Sequence, residues 1–169
     1  PPNLDLDKLD LTMKTNKIKF EDLTKTIKKI KGTSVHIVGD TIVDTYTKTN
    51  FIGGQTKTPT FSVLYDKEES FVGGAAIVAL HMKAAGAKVK FTTIISNDKK
   101  GKFVKKELNR NKIKCNFFEE KNRPTTDKNT FMSTTYRLLK VDTLSNAPIN
   151  EETLSNIINQ IKNDKSDIT

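Results

Sequence analysis

The chain of 169 residues contains no tryptophan, one cysteine, five prolines and eight glycines, and aromatic side chains make up only 7% of it. A lone Cys115 excludes an internal disulfide and any metal site built on several thiolates, and it fits a reducing, cytoplasmic setting. No apolar run approaches the roughly 18 residues of a membrane-crossing helix, and the visible start carries no leader pattern, so no membrane partner is expected. His36 lies in a β-branched run and His81 in an Ala-rich one; both read as core histidines, and no metal site is expected.

Acidic residues are in the minority, with 20 Asp and Glu against 29 Lys and Arg, a net charge of +9. Such a balance raises nucleic-acid binding as a class. The lysines, however, are spread along helical faces, such as Lys25, Lys28, Lys29 and Lys31, or Lys99, Lys100, Lys102, Lys105 and Lys106, without interleaved aromatics for base stacking. They read as solvated surface, and no nucleic-acid partner is expected. The basic field would still attract an anionic small molecule such as a sugar phosphate.

What is present is concentrated in Gly73-Gly74-Ala75-Ala76-Ile77-Val78-Ala79-Leu80, a glycine pair running into an apolar, Ala-rich helix. Such a pair lets backbone close on a ligand at a helix N-terminus, where free N–H groups favour polar or anionic partners. It serves equally as a tight entry turn to a packing helix. Upstream, Val35-His36-Ile37-Val38-Gly39-Asp40 reads as a buried strand that delivers a carboxylate at its carboxyl end, where open α/β sheets bind ligands. Asp44 follows four residues later. Two carboxylates, which only accept hydrogen bonds, suit the vicinal hydroxyls of a sugar; capping of a turn or helix would explain either one alone.

The spacing predicts a helix over residues 17–31 closed by Gly32, and two strands over 46–65 around Gly53-Gly54. A helix at 75–85, a strand at 88–95, a helix at 100–111 and a strand at 113–118 follow; this alternation implies parallel pairing through crossover helices. Extended segments near 129–134 and 136–142 should pair antiparallel, and a last helix should span 151–162 behind an Asn150 cap. Residues 1–16 read as a linker from something upstream, and Asp167-Ile168-Thr169 as the start of a further strand.

In this order, Gly39-Asp40-x3-Asp44, Lys57-Thr58-Pro59-Thr60, Gly73-Gly74-Ala75-Ala76, Ala84-Ala85-Gly86-Ala87, Asn97-Asp98-x2-Gly101, Arg123-Pro124-Thr125-Thr126 and Tyr136 to Asp142 resemble the amino-terminal half of the PfkB (ribokinase-like) sugar kinases. Within that family the resemblance is to heptose-phosphate kinases fused to a nucleotidyltransferase domain. It runs from about Val35 to Ile149. It implies an α/β fold, a ribokinase-like layered sheet with flanking helices, and a small β-sheet lid at about 46–65, within a kinase domain occupying 17–169 and continuing beyond it.

The resemblance further implies an ATP-dependent kinase using Mg and acting on a sugar or sugar phosphate, a homodimer formed through the lid, and a nucleotidyltransferase domain upstream. Asp40 and Asp44 would accept hydrogen bonds from sugar hydroxyls, Gly73 and Gly74 would let the backbone approach, and Lys57, Lys128 and Arg137 would meet a phosphate. Two departures stand out. Ile77 occupies a position where the family places an asparagine, and no glycine follows Gly101, so the family's late glycine-rich box with its catalytic Asp is absent. A non-catalytic sugar-binding or dimerisation module is the alternative.

Overall fold

The computed structural model describes residues 5–55 and 59–169. Two helices come first, α1 (Leu6–Thr15) and α2 (Phe20–Ile30). Helix α1 lies where the sequence suggested a linker; Asp5 starts it by accepting a hydrogen bond from the Lys8 amide at 3.0 Å. Helix α2 falls inside the predicted span and stops ahead of Gly32, whose φ of +85° a side chain would oppose. Only Ile30 of α2 packs against the core, and Leu23 and Ile27 remain exposed.

The body is a parallel sheet of three strands in the order β1 (Ser34–Val38), β4 (Lys88–Ile94), β5 (Lys114–Phe118). Its crossovers are α3 (Ala75–Ala84) and α4 (Lys99–Arg110), as the alternation of patterns implied. Val35, Val89 and Phe91 from the sheet meet Ala76 and Ala79 of α3 and Val104 and Leu108 of α4 in one core. Alanines let α3 approach closely: a Cβ on Gly39 would sit 2.9 Å from that of Ala75. His81 does not belong to this core. It is exposed on the outer side of α3, contrary to its reading as a core histidine.

Helix α5 (Glu151–Lys162) begins at Asn150, whose side chain accepts from the Thr153 amide at 2.8 Å. The chain then returns to the body sheet. Ile168 bridges to Val35 in parallel, with the His36 amide donating to its carbonyl at 2.9 Å, where the further strand was expected.

A second sheet of four strands stands apart from the first, in the order β3-β2-β6-β7. Its members are β2 (Thr41–Gln55), β3 (Thr60–Gly74), β6 (Thr126–Ser133) and β7 (Tyr136–Thr143). The lid is thus separate from the body sheet, as expected, but far larger than residues 46–65. Gly53-Gly54 lie inside β2 at a register shift instead of forming the turn. Strands β6 and β7 pair antiparallel as predicted, yet they also join the lid, because β6 runs parallel to β2 with Ile42 opposite Thr126. Alternate residues Thr41, Val43, Thr45, Thr47 and Thr49 of β2 are buried on one face. The threonine hydroxyls there are satisfied across the sheet, Thr47 by Asn129 Oδ1 and Thr49 by the Met132 carbonyl, each at 2.8 Å. Among the described residues no helix is long and apolar enough to cross a membrane.

Candidate functional site

The site forms where β2 and β3 leave the body. Strand β1 ends at Gly39-Asp40, and the Asp40 carbonyl accepts the Ala75 amide at 2.8 Å, closing the first turn of α3. Gly74 precedes that turn with φ +59°, and a Cβ there would lie 2.5 Å from the same carbonyl. Its neighbour Gly73 pairs with Ile42 on β2, so the Asp44 side chain, two residues along on the same face, extends over it. The Asp44 carboxylate Oδ2 occupies the space a Gly73 side chain would need. Asp44, Gly73 and Gly74 are therefore brought together.

This geometry narrows the chemistry of the glycine pair. The entrance to α3 is faced by two acceptors, the Asp40 carbonyl and the Asp44 carboxylate, which would repel an anion and welcome hydroxyl donors. The pair does not fit a triphosphate. Among the described residues no other glycine pair leads into a helix, the kind of loop that cradles phosphate. Among the described residues no cluster of metal-ligating side chains occurs.

The remaining candidates divide. Asp44 lines a cavity of about 290 Å³ together with Tyr46, Thr130, Arg137 and Lys140. Lys128 stands directly opposite Asp44 in the β2–β6 register and lies 3.6 Å from Asp142 on β7. Acceptor and cations thus share one face of the lid. Asp40 does not join them; it is exposed and borders a separate cavity of about 70 Å³ with Thr41, Ile94 and Arg123. Lys57 lies outside the described residues. Ile77 lines a separate, largely apolar cavity with Val72, Leu80 and Phe103, which Glu107 and Arg110 also border.

Two further motifs turn out to be braces. Asp98 caps α4 through the Gly101 amide at 2.7 Å and also accepts from the Thr125 amide at 2.8 Å, tying α4 to the start of β6. Burial alone would raise its pKa, but these backbone bonds outweigh it and hold the carboxyl below its ordinary value. Arg123 donates to Glu120 at 2.6 Å and to the carbonyls of Ala147 and Pro148 at 2.7 and 2.9 Å, pinning the loop before α5.

Sequence reasoning missed Lys100. In sequence it reads as one of a run of solvated lysines, yet its side chain is only 17% exposed and its ammonium ends among Thr45, Glu68, Ser70 and Asp127 of the lid. The second position after a capping Asp, in the first turn of α4, was the available signal. His36 is buried as expected, with Nε2 2.8 Å from Thr92 Oγ1 and Nδ1 3.3 Å from Asp164.

No protein-family model matches the chain. Among curated proteins it is 26% identical over 141 residues to the bifunctional protein HldE of Paramagnetospirillum magneticum, covering 83% of this chain and 29% of that protein. It is 33% identical over 106 residues to HldE of Campylobacter jejuni, covering 63% and 22%. Among solved structures it matches a candidate phosphofructokinase of Staphylococcus aureus with TM-score 0.61 and 19% identity, over 79% of this chain and 41% of that one. It matches a nucleoside kinase of the ribokinase family from Methanocaldococcus jannaschii with TM-score 0.51 and 17% identity, over 68% and 38%. The chain thus spans under a third of the length of these curated relatives and about two fifths of these solved ones.

Proposed function

We propose that this chain, which has the ribokinase-like (PfkB) fold and HldE proteins as sequence relatives, is the sugar-binding part of a carbohydrate kinase. The substrate would be a sugar or sugar phosphate of the heptose-phosphate kind. The observation that carries this reading is the carboxylate of Asp44, laid over Gly73, opposite Lys128 in the strand register and lining one cavity with Arg137 and Lys140. Asp44 would accept hydrogen bonds from sugar hydroxyls, and the cations would take the phosphate of a phosphorylated sugar. Asp40 would contribute from its neighbouring cavity.

Phosphoryl transfer is largely positioning plus charge stabilisation. This chain's share would be positioning: the acceptor hydroxyl is held at the mouth of the lid, while ATP and Mg would be bound by residues outside it. We further assign the lid as the dimer surface and place a nucleotidyltransferase domain upstream, in a cytoplasmic protein.

Isothermal titration with a panel of hexose and heptose phosphates tests the reading. Binding of one of them at micromolar to millimolar affinity, lost by about tenfold or more in Asp44→Asn, is the expected result. No binding, or equal binding by that variant, would overturn the site. A non-catalytic sugar-binding module is the second reading, favoured by Ile77 lining a separate, largely apolar cavity. Sugar binding by the full-length protein without sugar-dependent ADP release would select it.

A further inference from the structure

Three strands of the lid converge on one ammonium supplied by the body. Lys100, in the first turn of α4, donates to Thr45 Oγ1 on β2 at 2.7 Å, to Glu68 Oε1 on β3 at 2.9 Å and to Ser70 Oγ on β3 at 3.1 Å. Asp127 Oδ2 on β6 lies 3.5 Å away. An ammonium carries three donors, and all three are used. The Thr45 hydroxyl is completely buried and is satisfied from both sides, accepting from Lys100 and donating to Asp127.

The helix end that bears Lys100 is itself immobilised. Asp98, two residues before it, is bonded to the amides of Gly101 and Thr125, and Thr125 adjoins the first residue of β6. Backbone and side chain therefore anchor the lid to the same turn of α4. On the opposite face of β2, back to back with Thr45, stands Asp44, since successive strand residues point to opposite sides.

We propose that Lys100 is a positioning residue: a latch that clamps β2, β3 and β6 to α4 and so holds Asp44 in place over Gly73. Its consequence for ligand binding rests on the reading of Asp44 as a sugar acceptor; the latch itself does not. Without the ammonium, the carboxylates of Glu68 and Asp127 would face each other across the buried Thr45 hydroxyl and the half-buried Ser70, and β2 would be free to lift. Lysine at this place therefore acts on the front of the sheet from behind it.

Hydrogen exchange of the full-length protein decides the latch. In Lys100→Met, amides of residues 43–47 and 127–130 should exchange about tenfold faster or more, with residues 88–94 of the body unchanged, and Lys100→Arg should restore most of the protection. Unchanged exchange in the lid, or an equal rise in β4, would overturn it. If Lys100→Met does not fold, Glu68→Ala removes one partner on the edge strand, and must raise exchange in 66–71 above that in 88–94 for the latch to stand. Binding of the sugar phosphate retained by the wild type should weaken about tenfold in Lys100→Met; a loosened lid with undiminished affinity would refute the positioning role. A wild type that binds no sugar phosphate refutes the sugar site instead, and the exchange data still judge the latch.

Discussion

Asp44 and Gly73 share a single volume: the carboxylate of one fills the place where the other would carry a side chain. Gly73→Ala should therefore fold, because only the far end of the Asp44 side chain must rotate away. Melting temperature should shift by no more than a few degrees, whereas affinity for the sugar phosphate should drop about tenfold. Gly74→Ala should behave differently. Its added methyl meets the Asp40 carbonyl in a left-handed conformation, and about 1–3 kcal/mol of stability should be lost in denaturant titration.

Stability should fall with acid through His36. Burial lowers its pKa most strongly, with Asp164 pulling it up and Lys90 down, so the folded form keeps the imidazole neutral. The unfolded chain takes up a proton near pH 6.5, and the stabilisation, complete above that pH, is lost progressively below it. Asp164, held below its ordinary range chiefly by its bond from Lys90, adds a loss of the same sign at lower pH. The melting temperature should decline from pH 7.5 to 5, and His36→Leu should melt lower at neutral pH but with a flatter profile across that window. An equal slope in the variant would refute the assignment.

Cys115 should be chemically quiet. Burial pushes its thiol pKa up to about 11, so almost no thiolate exists at pH 8. Iodoacetamide should label the folded protein slowly and the urea-unfolded protein at the rate of a free thiol. Rapid labelling of the folded chain would show that β5 opens.

Arg123 is a matter of geometry as much as charge. Its guanidinium serves Glu120 and three loop carbonyls at once, a fork that lysine cannot reproduce. Arg123→Lys should cost about 1–3 kcal/mol in chemical denaturation, with proteolytic cleavage appearing first near Ala147-Pro148. A fully stable variant would mean the loop is held by other contacts.

The body of the fold was legible because its signals are local. Asp98 and Asn150 announce α4 and α5 as caps, and the apolar run at Val35 and the Val89 and Phe91 alternation announce strands. The extent of the lid was not, because Ile42 meets Thr126 only after the whole of α3, β4, α4 and β5 has intervened. Lys100 escaped for the same reason. Its partners Thr45, Glu68 and Asp127 come from separate strands, and no window of sequence contains them together. Asp40 and Asp44, neighbours in the chain, were expected to act side by side, but the chain crosses from one sheet to the other between them, and each borders its own cavity.

The parallel seam between β2 and β6 has a consequence for the order of folding. A β2–β3 hairpin can close early from local contacts, but its other edge has no partner until the intervening crossover units have delivered β6. Completion of the lid is thus a late, long-range loop closure that depends on a body already assembled. During synthesis the hairpin would emerge well ahead of its partner strand, with the β2 edge unpaired in the interval and open to pairing with another nascent chain. Such an interval favours misassembly between copies over unfolding of one, so refolding yield should depend on protein concentration more steeply than stability does.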